Sequence, residues 1–350
     1  MKKKIKTIAV INLGYVGDVI NASCITIELK KAYPDSKLVF ITVPKSREVA
    51  KYLPGVDEVE IFDKDIEHKG VKIIKWSLNL RRKYNFDMAT LLNETFRSGI
   101  LAFLIGAKKR VGHDSEGRGF LLTHKVPWLQ EEKDFKVHIS EIYMRNLKAI
   151  NLYNPDYSFG LNFNQQHIDY INELLKANNV ADKELIGLCP CARLTCKDWK
   201  IQEAKEFIDF VNQNTGKKVV IIGQESGKQF VENLKKAGCS DFVDLTCQTS
   251  MPQLAALVKK FNIFVSVDTA PMHLGIALNV PTIGLFVQPN FGKWWYEKSE
   301  KNKLIYQNPL KAEKVIAEFK NLEDKITVMP SCNQCSIKSP LPNPPLKGRE

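Results

Sequence analysis

The sequence has no apolar run approaching the roughly 18–20 residues that a membrane-crossing helix requires. Its start, Met1-Lys-Lys-Lys-Ile-Lys6, has the charge of an export signal. The apolar run that follows, Ile8–Leu13, is short and leads into Gly14-Tyr-Val-Gly17-Asp18 rather than a small-residue cleavage site. A buried first strand accounts for it better, and a cytoplasmic location is the expectation. Eight cysteines in 350 residues without such a signal read as reduced thiols, not as a disulfide framework. There is no short-period repeat. Acids are the scarcer charge, 39 Asp and Glu against 51 Lys and Arg, for a net +12. The excess is uneven: residues 1–150 carry +9 and residues 151–350 carry +3. Such asymmetry points to an anionic partner, whether nucleic acid, membrane surface or acidic substrate, or only to solvated lysines.

What is present is the balance of a folded chain, 44% apolar and 26% charged residues. The length suits two domains, since a single core rarely grows beyond roughly 250–300 residues. Apolar runs of strand length alternate with helix-period segments. In the first half the expected strands are Thr7–Asn12, Leu38–Val43, Val56–Phe62, Met88–Leu92 and Lys109–Gly112. Expected helices between them include Asp18–Ala32, Val71–Lys83 and Thr95–Ile105. A polar stretch from Asn154 to Gln166 reads as a linker, after which the alternation restarts. Strands are expected at Leu185–Cys189, Lys218–Ile222, Phe242–Asp244, Ile263–Val267 and Thr282–Phe286. The pattern predicts an α/β protein of two doubly wound parallel-sheet halves, with ligands at the C-terminal strand edges in a cleft. The domains are expected at 1–160 and 161–330. The Cys- and Pro-rich segment 331–350 is expected to be a disordered tail.

The turn after the first strand, Asn12-Leu-Gly14-Tyr-Val-Gly17-Asp18, is close to a dinucleotide fingerprint. Asn12 occupies the first glycine position, however, and the second strand runs into Ile41-Thr-Val-Pro-Lys45 with no acid for an adenosine ribose. A nicotinamide oxidoreductase is therefore disfavoured. What remains is a glycine turn presenting Asp18 at a helix N-terminus, either as a simple cap or as a general base.

In the second half, Val267-Asp268-Thr-Ala-Pro271-Met-His273 ends a strand and opens a helix, with Pro271 suited to its first turn. Free N–H groups of Thr269 and Ala270, at the positive end of the helix dipole, make a diphosphate site. His273 would add a donor there, and a positive charge if protonated. Arg193, Thr195 and Lys197 put two cations and a hydroxyl on one strand-end loop, suited to a leaving phosphate. Glu225 follows the next strand, placed to accept from ribose hydroxyls. Lys108–Gly119 is a basic, glycine-punctuated loop whose Arg118 would meet an anionic acceptor. Cys332-Asn-Gln-Cys335 has no second pair nearby, and no metal is expected. A nucleic-acid partner is disfavoured, because no reading motif or aromatic stacking platform accompanies the charge.

Together these segments resemble glycosyltransferase family 9, the ADP-heptose:lipopolysaccharide heptosyltransferases. The resemblance rests on Gly14-Tyr-Val-Gly17-Asp18, Pro190-Cys-Ala-Arg193…Lys197-Asp-Trp199, Asp268-Thr-Ala-Pro-Met-His273-Leu-Gly-Ile-Ala277 and Pro281-Thr-Ile-Gly-Leu-Phe286. It covers roughly residues 5–325. It implies a GT-B fold of two Rossmann-like domains and inverting transfer with Asp18 as base. It further implies an N-terminal domain binding acceptor, with Gly14, Gly17 and Arg118 near it. The C-terminal domain would hold the nucleotide sugar through Arg193, Thr195, Lys197, Asp268, Thr269, Ala270 and His273, with the ribose near Glu225. The implied donor is ADP-heptose, with no tightly bound cofactor. The implied acceptor is an anionic glycolipid, the lipopolysaccharide inner core, met at the cytoplasmic face of the inner membrane. A relative using another nucleotide sugar is the alternative. Cys191 stands where the family usually has glycine.

Overall fold

The computed structural model describes residues 4–328 apart from 64, 69, 135, 194, 297 and 298. The expected tail and the Cys332/Cys335 pair lie outside the described residues. The chain forms two compact units, one up to Leu161 and one beginning at Asn162.

The first unit runs β1 (Thr7–Ile11), α1 (Val16–Asn21), α2 (Ser23–Ala32), β2 (Lys37–Thr42), α3 (Arg47–Lys51), β3 (Glu58–Ile61), α4 (Lys72–Tyr84) and β4 (Met88–Leu91). It continues through α5 (Phe96–Leu104), β5 (Lys109–Asp114), β6 (His124–Pro127), α6 (Gln130–Lys133) and α7 (Ile139–Asn146). All pairings are parallel, in the order β3-β2-β1-β4-β5-β6. Helices cover both faces, so central strands carry unbroken apolar runs, and Ile8 to Ile11 are wholly inaccessible. The single helix expected over Asp18–Ala32 is two, α1 and α2, meeting at Ala22.

The second unit repeats the plan. It contains α8 (Gln165–Ala177), β7 (Leu185–Cys189), α9 (Ile201–Asn214), β8 (Lys218–Ile221), α10 (Glu225–Lys236), β9 (Val243–Asp244) and α11 (Met251–Val258). There follow β10 (Phe261–Val267), α12 (Ala270–Ala277), β11 (Thr282–Phe286), α13 (Phe291–Trp294), β12 (Asn302–Tyr306) and α14 (Ala312–Val328). Its parallel order, β12-β11-β10-β7-β8-β9, is the same winding as in the first unit. Each sheet therefore reverses direction once, between β1 and β4 and between β7 and β10. Register brings the strand ends at these reversals level: Ile11 pairs with Leu91, and Ser266 pairs with Cys189. The loops leaving those ends start side by side, which is where doubly wound sheets hold ligands.

Candidate active site

In the first unit the adjoining loops are Asn12–Tyr15 and Leu92–Thr95. Asn12 is fully buried and organises the first of them. Its Oδ1 accepts the Gly14 N–H at 2.9 Å, and its Nδ2 reaches the Asp18 carbonyl at 3.3 Å and the Tyr143 hydroxyl at 3.4 Å. The Leu13 N–H donates to Asn93 Oδ1, which ties the two loops together. Asp18, half-buried on the first turn of α1, accepts the Tyr15 N–H on Oδ2 at 2.8 Å. The carboxylate thus serves the helix end and is aimed by it. A Cβ on Gly14 would lie 2.6 Å from Asp18 Oδ2, so only glycine lets the carboxylate sit there. Gly17 occupies the turn of α1 just before Asp18. Burial and the charges of Asp18 and Glu94 push the Tyr143 phenol well above its ordinary pKa. It therefore stays protonated beside Asn12.

Arg118 departs from the sequence expectation. An open cation facing an acceptor was the reading of its glycine-rich loop, but the side chain is fully inaccessible. Its Nε donates to the His113 carbonyl at 2.9 Å. Its Nη1 donates to Ser98 Oγ at 2.7 Å, to the Thr95 carbonyl at 3.1 Å and to the Asn93 carbonyl. Nη2 is buried without a hydrogen-bond partner among the described residues. Burial lowers the guanidinium to about 10, still charged at neutral pH. Arg118 is a clamp on the Asn93–Thr95 loop, and through Asn93 on the loop that carries Gly14. Its neighbours are committed as well. Lys108 pairs with Asp87 at 2.8 Å, and Arg110 donates to the Ala107 and Leu121 carbonyls.

In the second unit the adjoining loops are Pro190–Trp199 and Asp268–Ala270. Lys197 Nζ forms an ion pair with Asp268 Oδ2 at 2.5 Å and approaches the Asp268 carbonyl at 3.5 Å. This pair joins the two loops, as Leu13 and Asn93 do in the first unit. Trp199 is buried, its N–H on the Pro190 carbonyl at 2.8 Å and its indole donating to the Leu310 carbonyl at 3.3 Å. Asp198 accepts the Ala192 N–H at 2.8 Å. These contacts close the loop that carries Lys197. Arg193 is exposed on the same loop. Thr195 begins a short turn, Thr195–Lys197, and its side chain lies outside what is described. Cys191 turns inward, its Sγ 3.5 Å from where a Gly227 Cβ would stand. Burial raises its thiol to about 12.

Thr269 is the N-cap of α12 in extended conformation and makes no side-chain cap bond, with Pro271 in the first turn. The N-terminal N–H groups of this helix are thus not covered by their own cap. His273 lies 5% exposed one turn in, edge-on to Trp294 at 6.2 Å between ring centroids. Burial lowers its pKa to about 4, against the opposing pull of Asp268. The imidazole is therefore neutral at neutral pH and does not carry the positive charge that protonation would give it. Glu225 opens α10, exposed, ion-paired with Lys228 at 2.9 Å and accepting from the Cys247 thiol at 3.6 Å. Lys228 holds its pKa below the ordinary carboxylate value. Among the described residues no three His, Cys, Asp or Glu side chains come together as a metal site.

The family model of glycosyltransferase family 9 (heptosyltransferase) matches residues 76–321. The chain belongs to glycosyltransferase family 9. As a family 9 member it is a glycosyltransferase enzyme, and its two doubly wound units are those of the GT-B fold. The lipopolysaccharide core heptosyltransferase OpsX of Haemophilus influenzae is 23% identical over 330 residues, spanning 92% of this chain and 84% of that one. A family 9 glycosyltransferase structure from Veillonella parvula superposes with a TM-score of 0.81 at 20% identity, covering 93% of this chain and 99% of that one. The E. coli heptosyltransferase WaaC, solved with ADP-2-deoxy-2-fluoro heptose, gives 0.70 at 14% identity, covering 90% and 99%.

Three residues that build these loops carry little sequence signal. Asn12 stands out in the sequence only as a missing glycine. Asn93 lies two residues after the fourth strand, in a position doubly wound folds use for ligands, and that is its one sequence signal. Tyr143 lies 131 residues from its partner Asn12, with nothing local to mark it.

Proposed function

We propose that this enzyme moves a heptose from ADP-heptose to the inner core of lipopolysaccharide in one inverting displacement. The acceptor hydroxyl oxygen attacks the anomeric carbon as the bond from that carbon to the diphosphate oxygen breaks. Asp18 takes the hydroxyl proton, and ADP leaves with the bonding electron pair. Charge building on the diphosphate is met by Lys197 and by the N–H groups of Thr269 and Ala270. Neutral His273 donates without adding charge. Arg193 and Thr195 flank the phosphates, Asp268 holds Lys197 in place, and Glu225 receives the ribose hydroxyls. Gly14 and Gly17 leave room for the acceptor beside Asp18. Arg118 acts on the acceptor side by fixing the loop rather than by touching sugar. The observation that carries this reading is the Lys197–Asp268 pair beside the N-terminus of α12. That arrangement suits a developing phosphate charge and has no evident use in a sheet that only packs. The relatives support this choice of donor and acceptor: OpsX is named for the lipopolysaccharide core, and WaaC was solved with a fluorinated ADP-heptose.

The test is Asp18→Asn with ADP-heptose and a truncated lipopolysaccharide, read as an acceptor mass gain of one heptose. Loss of a general base predicts a fall in kcat of about 10²–10⁴-fold with donor affinity retained. Unchanged turnover would remove Asp18 from the role. A mass gain from a different nucleotide sugar, with none from ADP-heptose, would reassign the donor.

A further inference from the structure

Helix α4 carries an outward face that its own unit does not explain. Its inward side is ordinary: Ser77, Leu80 and Tyr84 are buried, and Ile73 and Trp76 pack on the core of the first sheet. On the outside, Val71 is 80% exposed, Ile74 45% and Leu78 39%. At 3.6 residues per turn these three share one arc of about 120° with Lys75, Arg81 and Arg82. Single exposed apolar side chains are commonplace. Three of them interleaved with cations on one helix arc are not.

Charge decides what fits this surface. No acidic residue occurs between Glu67 and Asp87. Lys83, at the helix end, is neutralised by Glu58 and Glu60. Lys75, Arg81 and Arg82 have no carboxylate partner among the described residues. The turn before the helix is different, because exposed Ile66 is flanked there by exposed Asp65 and Glu67, so the helix itself is the basic apolar face. We infer that the outer arc of α4 docks on a bilayer rich in anionic phospholipid, its cations at the headgroups and Val71, Ile74 and Leu78 below them.

The topology makes this placement useful. Strands β1 and β3 are both parallel to β2, so the chain leaving β3 starts α4 from the same sheet edge that carries Asp18. Docking along α4 would bring that edge to the surface from which a lipid-anchored acceptor projects. That purpose rests on the proposed glycolipid acceptor, whereas the docking itself does not.

The experiment is flotation of the full-length protein with vesicles, in the absence of donor and acceptor. Vesicles of phosphatidylethanolamine with phosphatidylglycerol are compared with phosphatidylcholine alone. The wild type is expected to float with the anionic vesicles and to stay behind with the neutral ones. Lys75→Glu with Arg82→Glu should lower partitioning by at least about tenfold, given the strength of headgroup attraction per cation. Val71→Ser, Ile74→Ser and Leu78→Ser together should lower it comparably while leaving transfer to a delipidated, soluble acceptor unchanged. That soluble assay also shows that the variants are folded. Failure of the wild type to float, or flotation of both variants like the wild type, would overturn the proposal. So would a wild-type dimer that the triple serine variant turns into a monomer, since the arc would then bind a second copy. Flotation without transferase activity would strike the proposed reaction alone, and transfer without flotation would strike the docking alone.

Discussion

The two units share one winding order and one place for loops, yet they solve different electrostatic problems. In the first, the loops at the sheet reversal are joined by a neutral amide, Asn93, beside a carboxylate held by a backbone N–H. In the second, the corresponding loops are joined by an ion pair beside a helix N-terminus. A neutral bridge adds no ammonium that would lower the basicity of the carboxylate proposed as base. A site proposed to receive phosphate charge gains from one. The same scaffold is thus specialised by what bridges its two central loops.

The sharpest way to break this contrast is to remove the cation from the second unit. Lys197→Met should lower kcat by about 10²–10³-fold, the effect of losing one group aimed at developing charge. Because Asp268 is 9% exposed, its orphaned carboxylate would also destabilise that unit. The double variant Lys197→Met with Asp268→Asn should recover melting temperature without recovering turnover. If both recover together, Lys197 acts only through folding.

Next in size is Gly14→Ala in the first unit. The added Cβ would stand 2.6 Å from Asp18 Oδ2, so the carboxylate must move. A displacement of that order costs about 10²-fold in kcat when it misaligns a reacting group. Donor KM should stay within error, because nothing in the second unit changes. A rise in donor KM with kcat intact would show that the glycine turn serves the nucleotide instead.

Arg118→Met probes the clamp behind that turn. It removes the charged donor from the carbonyls of Asn93, Thr95 and His113, which keep only Ser98 or Ser115 as partners, at about 1.5–3 kcal/mol for a hydrogen bond to a charged group. Urea denaturation should show a loss of roughly 3 kcal/mol, part of the cost being offset because a buried charge is removed as well. Turnover should fall with acceptor KM little changed. A raised acceptor KM with full stability would restore the direct contact that the sequence suggested.

These cases also show where the sequence was legible. Central parallel strands are buried on both faces, so Ile8–Ile11 and Ile263–Val267 announce themselves as apolar runs. The edge strands β6 and β12 have half-exposed or polar positions, Lys125 and Asn302 among them, and escaped notice. So did α7, although it delivers Tyr143 to Asn12. The Gly14–Asp18 turn and the Asp268–His273 helix start are local, and residue spacing reveals them. Arg118 was misread because a basic glycine-rich loop looks solvent-facing in one dimension. Its burial is possible because the Asn93 and Thr95 carbonyls and the Ser98 hydroxyl join the nearby His113 carbonyl around it, and the sheet order, not the local sequence, brings those three there.

Protonation of His273 gives a smaller effect, with a sign that separates the units. Its folded pKa of about 4 lies below the ordinary 6.5, so between these values the unfolded chain binds more protons than the native one. Stability should therefore fall as pH drops from 6.5 toward 4, and be unaffected by this group above 6.5. The full shift corresponds to about 3 kcal/mol by the usual conversion. Carboxylates elsewhere titrate in part of the same window, so the measurement is the difference between the wild type and His273→Gln. The variant should have the shallower slope. Equal slopes would mean that the imidazole is charged in the native protein, and the neutral donor assigned to the second unit would be lost.

The smallest expected effect is at Glu225, and it tests whether the second unit reads the nucleoside as well as the phosphates. The carboxylate is exposed and, among the described residues, ion-paired with Lys228 on its own helix, so its loss should barely move the melting temperature. A ribose hydroxyl that donates to a carboxylate loses a charge-assisted bond in Glu225→Gln, about 1–2 kcal/mol, or some five- to thirtyfold in donor affinity. Inhibition by ADP should weaken by the same factor, and inhibition by inorganic pyrophosphate should not change. If pyrophosphate weakens in parallel, Glu225 acts through the loops around Lys197, and the diphosphate groups would be the whole of the second unit's recognition. If only ADP weakens, the same sheet edge recognises two chemically distinct parts of the donor. The first unit sets two carboxylates, Asp18 and Glu94, about its reversal and, among the described residues, no comparable ion pair between its loops.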